Sequence, residues 1–169
     1  MKQLMLENGL QLSDEVLGRL EKYLELLIEW NRNMDLTSVP ENEMARRHFV
    51  DSLLPLKTEG LFPENISLID VGTGAGFPGL VLAAARPDMQ VTLLEAQQKR
   101  CTFLQAVCDA LQLKNVTILH DRAETLGKAD AHREQYHRAV ARAVAPMNVL
   151  CEYLLPFVRV GGMLSLIHI

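Results

Sequence analysis

One segment constrains this chain more than any other: Leu68-Ile69-Asp70-Val71-Gly72-Thr73-Gly74-Ala75-Gly76-Phe77-Pro78-Gly79. A short apolar run over 66–71 leads straight into glycines, and residues 78–85 then have helical character. A strand that turns through glycines into a helix is what a nucleotide-binding turn requires. Glycine lets the backbone bend sharply and approach a ligand closely. The free amides at the start of the following helix favour a carboxylate or phosphate. The next apolar run, 91–94, ends at Glu95, nineteen residues after Gly76. A carboxylate at that place suits the two hydroxyls of a ribose.

The rest of the chain extends this pattern. A helix is predicted over 98–111, an apolar run over 116–119, a weaker run over 138–143, a helix over 147–155 and a last run over 163–169. Strands alternating with helices imply an α/β fold with a doubly wound, mainly parallel sheet. The N-terminal part differs. Ser13-Asp14-Glu15 starts a helix, and Leu17, Leu20, Tyr23, Leu24, Leu27 and Ile28 form one apolar stripe ending near Trp30. A polar turn over 31–39 precedes a second helix over 41–54, stopped by Pro55. Gly60 and Pro63 lie in a linker over 57–65, so the chain divides into a helical cap, 1–62, and a main domain, 63–163.

Composition narrows the function. With 169 residues, 49% hydrophobic and 22% charged, the chain is one folded domain and not a disordered one. The net charge of −4 falls entirely within residues 1–62, and the remainder is balanced. That excludes a generic nucleic-acid binder, so any such surface is a local patch. No apolar stretch reaches 18 residues, and no membrane span or signal segment is expected. Cys101, Cys108 and Cys151 are odd in number without a CxxC, which points to reduced thiols in a cytoplasmic protein and to no metal site. Cys101 and Cys108 lie seven apart on one helical face and read as core thiols.

Two cofactors suit the loop. A dinucleotide fingerprint is GxGxxG directly after the strand, whereas here Asp70, Gly72, Gly74 and Gly76 alternate. An acid before the first glycine resembles the S-adenosylmethionine (SAM) motif of class I methyltransferases more than the NAD motif. Asp70 then either orients the loop or meets the methionine ammonium.

With its flanks included, the chain resembles the RsmG (GidB) family over residues 10–163. The resemblance rests on Asn33-Met34-Asp35-Leu36-Thr37-Ser38, Arg47-His48-Phe49-Val50-Asp51-Ser52, the loop running into Phe77-Pro78-Gly79, Leu93-Leu94-Glu95, Lys99-Arg100, Arg122-Ala123-Glu124 and Ala141-Arg142-Ala143. It implies a Rossmann-like class I methyltransferase fold with strand order 3-2-1-4-5. It also implies SAM as cofactor, and methylation of guanine N7 in the 16S RNA of the small ribosomal subunit. By position, Gly72 and Phe77 fall where the family's loop contacts SAM, Ala123 and Glu124 where it holds adenine, Glu95 at the ribose acid and Arg142 at the cofactor-site arginine. Arg46, Arg47, His48, Lys99 and Arg100 are the candidates for RNA phosphates, which position but do not specify. Each stretch has a plainer reading too: Arg46-Arg47-His48 as a solvated face, His48 as a structural histidine near Asp51, Lys99-Arg100 as helix surface, 33–38 as a capped turn, and Arg122-Ala123-Glu124 as a loop ion pair.

Two departures stand out. The family's fourth strand begins Phe/Tyr-Asp, whereas this chain has Tyr136-His137-Arg138, placing added positive charge near the expected cofactor edge. The family's later strands are missing. Leu164-Ser165-Leu166-Ile167-His168-Ile169 stands in their place and reads as a non-native tail resembling a translated transposon end. Such a chain is expected to lose turnover and to expose its fifth strand as a hydrophobic edge. The alternatives are a methyltransferase on another substrate, or a chain that binds SAM without turnover. Guanine N7 carries a free lone pair and no proton, so no catalytic base is nominated. The protein would supply proximity and orientation, with Phe77 and Tyr136 as the aromatic platforms nearest the site.

Overall fold

The computed structural model describes residues 1–142 and 147–167. Ala143, His168 and Ile169, expected at strand ends, lie outside them. Helix α1 (Lys2–Glu7) precedes α2 (Asp14–Met34). The Ser13 side chain accepts from the Val16 amide at 3.2 Å, and Asp14 and Glu15 sit in the first turn, where acids complement the helix dipole. Leu17, Leu20, Tyr23 and Leu27 form the buried stripe.

The helix runs four residues beyond its expected end at Trp30. It stops only where Asp35 enters the left-handed region at φ 55°. Helix α1, with Met5 buried, had no signal in the sequence; six residues are too few for a periodicity to show.

The second expected helix is present but irregular. It consists of α3 (Glu41–Met44), a π-helical segment (Ala45–Val50), α4 (Asp51–Leu53) and a 3₁₀ turn (Leu54–Lys57). Pro55 sits in the first turn of that 3₁₀ segment, where its missing N–H costs little, so it does not end the helical run.

The main sheet comprises β1 (Ser67–Val71), β2 (Gln90–Glu95), β3 (Val116–His120), β4 (Tyr136–Arg142) and β5 (Val158–Ile167). Helices α5 (Gly79–Ala85), α6 (Gln98–Leu111), α7 (Ala123–Leu126) and α8 (Met147–Leu154) connect them. Every described pairing is parallel, and the order is β3-β2-β1-β4-β5. The order reverses beside β1, which opens a crevice beyond the carboxyl ends of β1 and β4.

β5 begins at Val158, not at Met163. Gly161 and Gly162 lie inside the strand, beside a register shift opposite Tyr136 and Arg138.

Strand alternation assigns the two faces. Leu68 joins the core shared with the cap, and Ile69 and Val71 join the core on the far side with Leu150, Leu154 and Phe157. One continuous cluster links Leu17, Tyr23, Leu27, Phe49 and Leu53 of the cap with Phe77, Leu80, Phe103 and Leu104 around the sheet. Cys101 and Cys108 are buried as expected, and burial pushes the Cys108 thiol up to about 12.

Candidate functional site

The loop after β1 is held from below by two carboxylates. Asp70 is fully buried; its Oδ2 accepts from the Thr73 hydroxyl and from the Gly79 amide, each at 2.7 Å. Its Oδ1 has no hydrogen-bond partner among the described residues. Burial raises this carboxyl to about 6, against the lowering effects of Thr73, Gly79 and nearby Arg142. Glu95 ends β2 and is also buried. Its Oε2 accepts from the Gly74 amide and its Oε1 from the Gln97 amide, both at 2.9 Å. Gly72 and Thr73 donate to the Leu94 carbonyl at 2.9 and 3.2 Å, which ties the loop to β2.

The cap holds the loop from above. Tyr23 of α2 donates its hydroxyl to the Ala75 carbonyl, and its ring stacks on Phe77 at 5.5 Å and 6°. His48 stacks on Phe77 at 4.4 Å and 9°. A Cβ on Gly76 would collide with the Tyr23 hydroxyl oxygen, so the approach of cap to loop requires glycine there. The Arg142 guanidinium lies 5.0 Å over the Phe77 ring, at cation–π range.

Two openings meet at Gly72. The first, about 230 Å³, is lined by Val71, Leu94, Ala123, Glu124 and Tyr153. The second, about 210 Å³, is lined by Thr37, His48, Gly74, Arg100 and Arg142. The first has largely apolar walls suited to a flat ring. The second carries two guanidinium groups suited to an anion. Glu95 stands at the loop between them and keeps lone-pair positions beyond its two backbone donors.

The family model GidB, described as rRNA small subunit methyltransferase G, matches residues 17–168. The chain belongs to the rRNA small subunit methyltransferase G family. It is 47% identical over 157 residues to the ribosomal RNA small subunit methyltransferase G of Alkaliphilus metalliredigens, covering 92% of this chain and 65% of that one. It is 47% identical over 158 residues to the protein of the same name from Leuconostoc citreum, covering 92% and 66%. The chain thus spans about two-thirds of the length of these relatives. A solved SAM-dependent methyltransferase from Aquifex aeolicus shares the fold with a TM-score of 0.56 at 23% identity, covering 72% of this chain and 65% of that one.

Within this family frame, the structure brings Asp70, Gly72, Gly74, Gly76, Glu95, Ala123, Glu124 and Arg142 to one end of the sheet. The Phe77 ring is nearly fully buried between Tyr23 and His48, so it anchors the loop to the cap and offers no stacking face. Tyr136 is not near the site. It begins β4 at the opposite end of the sheet and packs on Phe157.

His137 and Arg138 lie at that far end too. His137 Nδ1 accepts from the Ser67 amide at 3.1 Å, and Arg138 donates to the Gly60 carbonyl at 3.2 Å. Both residues therefore sit at the end of the sheet away from Asp70 and Glu95.

Arg46 and Lys99 are exposed, and Arg47 pairs with Glu43 at 3.3 Å on the surface. Arg100 is half-buried, 3.9 Å from Glu95. His48 is buried, and burial together with Arg142 and Arg47 lowers it to about 4. It carries no charge to offer a phosphate at neutral pH. Tyr23 and Thr37 carry no signal in the sequence that marks them as site residues. Tyr23 read as one apolar position in a stripe, and Thr37 read as part of a turn.

Proposed function

We propose that this chain forms the cofactor-binding part of a SAM-dependent methyltransferase acting on guanine N7 in 16S RNA of the small ribosomal subunit. The observation that carries this reading is the Asp70–Gly79 loop, held by Asp70 and Glu95 beside two openings that share Gly72, in a chain of the methyltransferase G family.

The residues fit the cofactor. Glu95 would accept both ribose hydroxyls on its remaining lone pairs. The slot at Val71, Leu94, Ala123 and Glu124 would take the adenine. Arg142 would meet the methionine carboxylate, and the unpartnered Asp70 Oδ1 marks the loop as built for a further donor. When bound, SAM supplies an electrophilic methyl group on a sulfonium.

The chain's own part is to bind, orient and exclude water. N7 has a lone pair and no proton, so no residue has to act as a base. Proximity and orientation of the two reactants are worth roughly 7–11 kcal/mol in favourable cases. Arg46, Arg47, Lys99 and Arg100 would attract RNA phosphates. Among the described residues no helix is long and apolar enough to cross a membrane.

Calorimetry with SAM, with NAD and a Glu95→Ala variant as controls, tests the cofactor. Saturable SAM binding that Glu95→Ala weakens supports the reading, and a preference for NAD overturns it. Labelled methyl transfer to small-subunit RNA, read at guanine N7, tests the substrate.

A further inference from the structure

His48 sits between two polar partners on the face of Phe77. Its Nδ1 is 2.8 Å from Arg142 Nη2, and its Nε2 is 2.8 Å from Thr37 Oγ1. A guanidinium only donates, so Nδ1 is the acceptor and the ring's single proton lies on Nε2, directed at Thr37. Thr37 is itself held in place. Its hydroxyl accepts from the Val39 amide at 3.1 Å. The Asn31 side chain grips its backbone on both sides, accepting from the Thr37 amide at 2.8 Å and donating to the Thr37 carbonyl at 3.1 Å. The chain of contacts thus runs from α2 through Asn31 and Thr37 to His48 and Arg142.

The opposite edge of the guanidinium is fixed as well. Arg142 Nη1 donates to the Arg47 carbonyl at 2.9 Å. The π-helical segment therefore presents a carbonyl and the next residue's imidazole to one guanidinium, and segments of this kind recur at functional sites.

We propose that His48 is a positioning residue for Arg142: held in the Nε2–H tautomer by Thr37, its Nδ1 fixes the guanidinium over Phe77 so that the remaining N–H groups are ready for the cofactor's carboxylate. The inference rests on the cofactor reading above. It gives a function to the Asn31–Thr37 turn and to the Arg47-His48 pair that phosphate binding does not. Burial and the two neighbouring arginines keep the ring neutral, as an acceptor toward Arg142 requires. An arginine held in place before binding loses less side-chain freedom on binding, and the gain is roughly tenfold in affinity.

The test uses the ¹⁵N-labelled 169-residue chain, with circular dichroism confirming that each variant folds. His48→Phe keeps a ring on Phe77 and removes the acceptor. His48→Asn restores an acceptor oxygen close to the Nδ1 position. Thr37→Val removes the partner of Nε2. Imidazole ¹H–¹⁵N spectra should show one tautomer, protonated at Nε2, with the Nε2–H resonance shifting when Thr37→Val removes its acceptor.

SAM affinity should fall roughly tenfold in His48→Phe, recover in His48→Asn, and fall no further when His48→Phe is added to Arg142→Met. A ring protonated at Nδ1, or a His48→Phe variant that binds SAM like the wild type, overturns the proposal. Should the wild type ignore SAM, the cofactor reading falls, and the Arg142 guanidinium resonances decide this one. Sharp signals that broaden in His48→Phe support it, and signals indifferent to the substitution sink it.

Discussion

Tyr23 and Ala75 stand 52 residues apart in the chain and share a buried hydrogen bond, from the phenol to the main-chain carbonyl. The contact joins the middle of the longest cap helix to the tip of the glycine loop, so cap packing and loop geometry are coupled. Tyr23→Phe keeps the stack on Phe77 and leaves the Ala75 carbonyl unsatisfied. The expected cost is about 1–3 kcal/mol in urea unfolding, with weaker SAM binding in parallel. Unchanged stability with unchanged binding would show that the cap does not hold the loop.

Gly79 is closed to any side chain. A Cβ there would lie 2.7 Å from Asp70 Cβ and Oδ2 and from Leu93 Cδ2. Gly79→Ala must push the carboxylate off the amide it accepts from. A loss of about 1–3 kcal/mol from overpacking is expected in a chemical denaturation curve. Gly18→Ala, with no atom within 4 Å of the added carbon, is the matched control and should be neutral or stabilising.

Asp70 and His48 oppose one another in pH dependence. Burial raises Asp70 from 3.8 to about 6. Its contribution to stability is therefore full below that window and lost as pH rises through about 6. Burial lowers His48 from 6.5 to about 4. That contribution is full above the window and lost as pH falls through about 4. Between these limits the two slopes largely offset. Asp70→Asn should leave a chain that loses stability on acidification across pH 4 to 6, and His48→Phe one that gains it. The Asp70 share is on the order of 3 kcal/mol. Guanidinium midpoints at several pH values check this, and identical slopes in all three proteins would refute it.

The exposed basic residues and the buried histidine should separate by their salt dependence. Arg46 and Lys99 are exposed, and each phosphate contact removed should lower the slope of log affinity against log salt by about 0.7 for single-stranded RNA. Arg46→Ala and Lys99→Ala are expected to do so without changing SAM affinity. His48→Phe should leave the salt slope unchanged, since a buried neutral ring releases no counterion. Fluorescence anisotropy with a small-subunit RNA fragment over a salt series distinguishes the two behaviours.

The local elements were legible because their causes are local. Helix α6 runs over the expected residues, Gln98–Leu111, since an apolar stripe and a helix stop need only neighbours four positions away. The glycine loop and its distant acid, Glu95, announced themselves by residue type and spacing, and the family resemblance carried the strand order. The sequence by itself therefore determined the alternation of strands and helices and the place of the glycine loop within it.

Only the tertiary structure decided which polar groups face solvent and which face each other. Arg46-Arg47-His48 is one basic run in sequence, yet the π-helical segment leaves the arginines outside and turns His48 inward onto Arg142, 94 residues away. Tyr136, near the site by residue type, lies at the far end of its strand. Exclusion of water from a group is set by what packs over it, and that follows from the register and stacking of distant elements, which no window of local periodicity contains.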